Sequence, residues 1–192
     1  MLTGAHLTRA GLLQIVAYRA LFKTGLSIKL TEAFPDFIPV TAFPYTPNLS
    51  LMSIHWIAGF INADGSFSVS VEKSINSKLG EICRLRIFIV QHGRSLIALQ
   101  RAAEILGCGS VKPNKDGSYI LRVSALKDIN QLIAAFTTND IQFLGAKGLD
   151  YADFCKALHI INEKAHLTQP GLEAIRSISS GMNSTRTDFG SK

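Results

Sequence analysis

Residues 53–67, SIHWIAGFINADGSF, carry apolar side chains at helical spacing. Ile54, Ile57, Ala58 and Ile61 fall at i, i+3, i+4 and i+7 and form one stripe. Ser53 can cap the start of this helix, and Gly65 is placed to take the left-handed residue that ends it. Asp64 then lies in the last turn, where the helix dipole disfavours a carboxylate by about 0.3–1 kcal/mol and where a bound cation would reverse the penalty. Gly59 and Ala63 sit four apart beside the stripe. A mid-helix glycine costs roughly 1 kcal/mol against alanine, so Gly59 calls for a packing reason. The small pair leaves a groove into which another backbone can come close.

The period changes to two immediately afterwards. Ser66, Ser68, Ser70 and Glu72 fall on one face, and Phe67, Val69 and Val71 on the other, which predicts a half-buried strand. Residues 74–80 read as a hairpin loop. A second strand runs over about 82–91, with Arg84 and Arg86 on one face and Leu85, Ile87 and Ile89 on the other. Residues 95–106 form a helix with Leu96, Leu99, Ala103 and Leu106 inward. Gly107 and Gly109 lead into a third strand over 110–114, Asp116-Gly117 makes a hairpin turn, and a fourth strand covers 118–124 with Arg122 on its polar side. Helices are expected over 125–136, 151–163 and 168–180, with 137–149 irregular and 183–192 frayed. Asp150, Tyr151 and Asp153 open the second of these helices, where acids complement the dipole.

Antiparallel hairpins followed by helices predict an α+β domain whose sheet is covered on one side and open on the other. The open side would be basic. Residues 65–125 hold nine Lys or Arg against four Asp or Glu, most of the excess in a chain of 192 residues with net charge +6 and pI about 9.4. Such a balance suits a polyanionic partner without identifying one. Cys83, Cys108 and Cys155 are odd in number and widely spaced, which argues for reduced thiols rather than a zinc or disulfide framework. No apolar run reaches the roughly 18 residues of a membrane-spanning helix, so no membrane association is expected. Residues 1–30 contain Arg9, Arg19, Lys23 and Lys29 and no acid, the composition of a transit peptide. An internal echo argues otherwise. His6-Leu7-Thr8-Arg9-Ala10-Gly11-Leu12 recurs 160 residues later as His166-Leu167-Thr168-Gln169-Pro170-Gly171-Leu172, with Ile15 and Ile175 in register. Each copy predicts a threonine-capped helix. Residues 1–48 therefore read as the tail of an earlier repeat plus a linker containing Pro35, Pro39, Pro44 and Pro47. Residues 49–182 read as one domain and 183–192 as its loose end.

The chemistry of the residues fits nucleic acid. A two-stranded β-ribbon enters the major groove, and Ser66, Ser68, Ser70, Glu72, Arg84, Arg86, Lys112, Asn114 and Arg122 would supply donors and acceptors for base edges. On the residues alone, the same face reads equally as a solvated sheet surface, and Asp64-Gly65 as an ordinary turn dipeptide.

A resemblance sharpens this. Ile57 to Gly65, IAGFINADG, resembles the nine-residue signature of the LAGLIDADG homing endonucleases exactly or by an apolar swap, with Asn62 in place of that family's first aspartate. GLSIKLTEAFPDFIPV (25–40) resembles the inter-repeat segment of two-repeat members, and HLTQPGLEAIRSISSGMN (166–183) is similar to their closing helix. The resemblance implies an αββαββα fold, a saddle-shaped four-stranded sheet that reads double-stranded DNA. Hydrolysis of both strands is implied, with Mg²⁺ or another divalent cation held by Asp64 and a partner acid. Carboxylates suit magnesium, but one makes a poor site. Packing two signature helices through Ile57, Gly59, Phe60 and Ala63 would bring two acids together, in a homodimer or with a separately made first repeat. QHGR (91–94) and LGAKGLDYADF (144–154) resemble two further family segments. They imply that Gln91 orders water and that Lys147 lies near the scissile phosphate, with Gly148 where many members have a second lysine. Read without the resemblance, Gln91 is equally a strand cap and Lys147 a surface lysine before a helix. The family also implies a mitochondrial or plastid location. It leaves two alternatives: an RNA maturase acting on its host intron, and a half-protein without catalysis.

Overall fold

The computed structural model describes residues 4–22, 24–38 and 48–186, and the chain divides into two compact units, Met1–Pro47 and Asn48–Lys192. In the first unit a 3₁₀ turn, Ala5–Leu7, leads into α1 (Arg9–Arg19), and α2 (Ile28–Ala33) is capped by Ser27. Pro39, Pro44 and Pro47 of the expected linker lie outside the described residues, as does the tail from residue 187.

The second unit begins with α3 (Ile54–Asp64), capped by Ser53, whose hydroxyl accepts from the Trp56 N–H. Four strands follow as β1 (Gly65–Lys73), β2 (Glu81–His92), β3 (Ser110–Pro113) and β4 (Ser118–Val123) in the antiparallel order β1-β2-β4-β3. The helices are α4 (Leu96–Leu106), α5 (Leu126–Thr138), α6 (Gly145–Asn162) and α7 (Gln169–Ser180). The strand alternation holds. Phe67, Val69, Leu85, Ile87, Ile89, Leu121 and Val123 are buried with Ile57, Ala58 and Ile61 of α3 in one core. Phe67 anchors an aromatic cluster, its ring centroid 5.0 Å from that of Phe143 and 5.5 Å from that of Phe154. No helix among the described residues is long and apolar enough to cross a membrane.

The internal echo is also structural. Thr8 and Thr168 each accept from the glycine three residues on, Gly11 at 3.1 Å and Gly171 at 3.3 Å. Each threonine hydroxyl also donates to the alanine carbonyl three residues back at 2.8 Å. A Cβ on Gly11 would lie 1.9 Å from the Ala5 oxygen, and one on Gly171 2.0 Å from the Ala165 oxygen. Both glycines are there because the preceding 3₁₀ turn folds back onto the helix start.

Three expectations are corrected. Gly65 is extended, φ −83° and ψ 172°, and is the first residue of β1 rather than a left-handed terminator. Helix α6 begins at Gly145, not at 151, so the segment read as irregular is shorter. Gly145 (φ +59°) and Gly148 serve steric needs within the helix start and are not loop residues: a Cβ on Gly148 would lie 2.4 Å from the Phe143 oxygen. Finally, residues 183–186 are not frayed. Asp150, which lies inside α6 rather than at its start, is buried and accepts from the Asn183 N–H and the Arg186 guanidinium. Arg186 also reaches Asp153 at 2.6 Å. The acids expected to complement a dipole instead hold the chain's closing turn.

Breaking a buried ion pair from one side typically costs about 3–5 kcal/mol, because the remaining charge stays buried. Arg186→Ala is therefore expected to lower the unfolding free energy by that amount, read as a lower urea midpoint at unchanged m-value, and Arg186→Lys by less. An unchanged midpoint for Arg186→Ala would show that the closing turn contributes nothing to the fold.

Candidate active site and nucleic-acid interface

Helix α3 passes into β1 without an intervening residue. The Gly65 N–H bonds to the Ile61 carbonyl, and a Cβ at residue 65 would stand 2.7–2.9 Å from the Cα, oxygen and Cγ2 of Ile61. Only glycine lets the last helical turn lie against the first strand residue. Asp64 consequently ends the helix at the level where Gly65 pairs with Ile89 on β2.

Gln91 lies two residues beyond that pair, past the end of β1. The β2–β4 ladder continues unbroken through Gln91↔Tyr119 and His92↔Ser118, so no bulge is required. Gln91 stays on the core-side face with Ile87 and Ile89, and that face opens where α3 ends. Its Nε2 donates to Asp64 Oδ2 at 2.7 Å. Lys147 stands in the first turn of α6 and its ammonium donates to the Gly65 carbonyl. In the reverse direction Asn62 Oδ1 accepts the Leu144 N–H at 2.8 Å. These two contacts tie the start of α6 to the α3–β1 junction on either side of Asp64. Asn62, the departure from the signature, is an acceptor here, a role that aspartate would also fill. Asp64, Gln91 and Lys147, far apart in sequence, are thereby brought to one point.

Asp64 presents a solvent-exposed carboxylate with one oxygen held by Gln91, a donor suited to a hard divalent cation. No group of three metal-binding side chains occurs among the described residues. The residues fit one half of a cation site, whose other oxygens must come from a second acid, water or phosphate.

On the open face, the register sets Ser66 against Phe88, Ser68 against Arg86 and Ser70 against Arg84. The charged residues expected to act separately form one cluster. Glu72 accepts from Arg84 Nε at 2.9 Å, from Arg86 Nη2 at 2.5 Å and from the Ser70 hydroxyl at 2.9 Å, and Arg86 Nη1 reaches Ser70 at 3.2 Å. Arg86 and then Ser70 hold the Glu72 carboxyl well below the usual range, at about 2. Lys112 and Arg122 are exposed as expected. Asn114 lies beyond β3 in the hairpin, where its amide donates to Ser118, and Ser66 donates to Asn183; both are engaged within the chain. Phe88, Val90 and Ile120 also face this side and were not read as site residues, because strand alternation alone gave no role to apolar residues there. His92 caps the turn after β2, its Nδ1 accepting from the Arg94 N–H. All three cysteines are free, half-buried thiols whose pKa burial raises.

Among the described residues, nothing covers the outward face of α3. Gly59 and Ala63 are exposed, and nothing lies within 4 Å of a Cβ built on Gly59. Phe60 is half-buried and packs on Trp56 at 5.1 Å between centroids, and Trp56 is 45% exposed. Ile57, expected on this face, is fully buried in the chain's own core. The i, i+3, i+4 stripe that predicted the helix already required it inward, and Trp56 takes its place at the surface.

Comparison with known proteins gives a consistent picture. The family model described as LAGLIDADG endonuclease matches residues 57–158. The chain is 32% identical over 172 residues to the probable intron-encoded endonuclease 3 of Neurospora crassa, covering 89% of this chain and 32% of that protein. It superposes on the I-LtrWI LAGLIDADG homing endonuclease bound to target DNA with TM-score 0.84 at 33% identity, covering 96% of this chain and 61% of that one. The I-SmaMI LAGLIDADG homing endonuclease bound to cleaved DNA gives TM-score 0.85 at 34% identity, with 96% and 61% covered. The chain thus spans about a third of the curated relative and about three fifths of each solved structure.

Because the Glu72 carboxyl is lowered from 4.5 to about 2, the cluster is fully formed above pH 4.5 and is lost only as pH falls through about 2. A carboxyl ¹³C titration is expected to place the Glu72 midpoint near 2, and Arg86→Ala to raise it towards 4.5. A midpoint near 4.5 in the unaltered chain would mean the arginines are not held by Glu72 in solution.

Proposed function

Since the chain belongs to the LAGLIDADG endonuclease family, we propose that it forms half of a site-specific, metal-dependent double-strand DNA endonuclease. The observation that carries this is the convergence of Asp64, Gln91 and Lys147 at the open end of α3, beside an uncovered Gly59–Ala63 groove. The neighbours bound to target and cleaved DNA support duplex DNA as the substrate, in preference to the RNA of a maturase.

Each residue has a role set by its position. Asp64 anchors the cation from the helix end, where bound positive charge offsets the unfavourable dipole. Gln91 fixes the carboxylate through Nε2 and leaves its Oε1 to accept a hydrogen bond from the attacking water and so orient it. Lys147 keeps a cationic group at the α3–β1 junction, one residue from Asp64, where it would meet charge that grows on the phosphate in the transition state. When bound, Mg²⁺ supplies Lewis-acid stabilisation and an acidified water. Asp64 alone gives too few oxygens, so the site requires the equivalent acid of a second repeat.

Two features support a second repeat packed against this chain. The bare face of α3 with Trp56, Phe60 and the small pair fits another such helix. Leu12 and Ile15 of α1 are 40% and 44% exposed, whereas their counterparts in the echo, Leu172 and Ile175, are 1% and 0% exposed. We read residues 1–48 as the closing segment and linker of a preceding repeat whose sheet would cover Leu12 and Ile15. That repeat would supply the second signature helix and its acid. The intron-encoded name of the fungal relative supports the mitochondrion as the compartment.

Asp64→Asn is expected to lower Mg²⁺-dependent cleavage of a selected target at least about 100-fold while duplex affinity stays within about threefold. Cleavage by the Asp64→Asn variant at the unaltered rate would refute the mechanism. Loss of DNA binding in the unaltered chain at low salt would refute the substrate.

A further inference from the structure

The open sheet face carries two side chains, Phe88 and Val90, that neither its charge nor the core accounts for. Phe88 and Val90 alternate with the core residues Ile87 and Ile89 along β2, and Ile120 of β4 lies directly opposite Val90. Val90 is 39% exposed and Phe88 half-buried, whereas Ile120 is 9% exposed and backs Val90 from the neighbouring strand. Phe88 and Val90 interrupt a surface otherwise lined by serines and arginines, within the segment that holds nine basic and four acidic residues. An occupant of this face must therefore be polyanionic and yet present apolar groups. In the major groove of duplex DNA that group is the 5-methyl of thymine.

The far half of the same strand is built for a different base. Arg84 is held through Nε by Glu72 Oε2 at 2.9 Å, and its two terminal nitrogens have no partner among the described residues. That leaves an oriented planar fork free for the O6 and N7 acceptors of guanine. Arg86, by contrast, spends both terminal nitrogens on Ser70 and Glu72. Its part is to hold Glu72, which in turn aims Arg84.

Resting on the DNA reading above, we propose that β2 is a two-part base reader. Arg84 selects guanine, and Phe88 with Val90 selects thymine closer to the cut. The order follows from the register: Phe88 pairs with Ser66, two residues from Asp64, whereas Arg84 pairs with Ser70. Four strand residues at about 3.3 Å each span roughly 13 Å. That length matches about four base pairs at about 3.4 Å each.

The test is selection of the full chain against a randomised duplex library at low salt without divalent metal, so that bound duplexes stay uncut. Enriched duplexes are expected to carry guanine and, about four base pairs away, thymine. Replacing that thymine by deoxyuridine should weaken binding by the unaltered chain about fourfold, the worth of one buried methyl group. The replacement should not weaken binding by Phe88→Ser. Arg84→Ala should lose the guanine preference and keep the thymine preference. Val90→Ser leaves the half-buried Phe88 in place, removes both methyl groups of residue 90 and provides the same uracil comparison should Phe88→Ser fail to fold. Enrichment without thymine at that spacing, or a uracil penalty undiminished in the apolar variants, overturns the proposal while leaving DNA binding intact. Enrichment of no duplex at any salt overturns it together with the DNA reading on which it rests.

Discussion

A single steric contact governs this structure: the missing Cβ of Gly65 against the backbone of Ile61. With any other residue there, the chain would need a loop between α3 and β1, and the position of Asp64 would depend on that loop. Glycine instead lets the helix end and the sheet begin at one peptide, so the carboxylate is held by two rigid elements at once. A site built on such elements is better ordered than one on a loop. The surrounding contacts follow from this placement. β2 extends past the first residue of β1 and so delivers Gln91 to the carboxylate. The start of α6 is held to the junction by Asn62 and Lys147 in opposite directions.

Charge on the open face is managed rather than merely accumulated. A basic surface on a small domain repels itself. Glu72 offsets part of that repulsion and converts flexible arginines into oriented ones. Arginine holds many rotamers in the free state, and a carboxylate that fixes one of them lowers the entropy lost on binding. The cluster is solvent-exposed, so its value lies in orientation more than in stability.

The architecture was legible in the sequence because its periods are clean. The α3 stripe, the alternation of Ser66 to Glu72 and the Arg84–Arg86 face all appear where spacing places them. Three kinds of feature were not legible. Glycine has two uses, and sequence does not tell a left-handed residue from a close approach; Gly65 was misread for that reason. Long-range pairing leaves no periodic trace, so Asp150 and Arg186, 36 residues apart, looked like a dipole acid and a loose tail. Side-chain competition is also invisible in a pattern. Ser66 and Asn114 sit at the expected surface but spend their hydrogen bonds within the chain. The cluster of Asp64, Gln91 and Lys147 was found through resemblance. Spacing alone left each of the three with an ordinary alternative.

The echo between the two ends of the chain joins these strands of reasoning. The same threonine cap, folded-back 3₁₀ turn and glycine occur in both units, yet only one copy has its apolar face buried. A half-covered helix, a small-residue groove uncovered among the described residues and a single carboxylate all fit a second repeat packed against this one. The most direct measurement is anomalous diffraction from Mn²⁺ in crystals of the chain bound to a selected duplex. The account predicts a manganese peak about 2.1–2.2 Å from the Asp64 carboxylate, shared with a second acid and a backbone phosphate. A peak elsewhere, with Asp64 contacting only Gln91 and solvent, would contradict it.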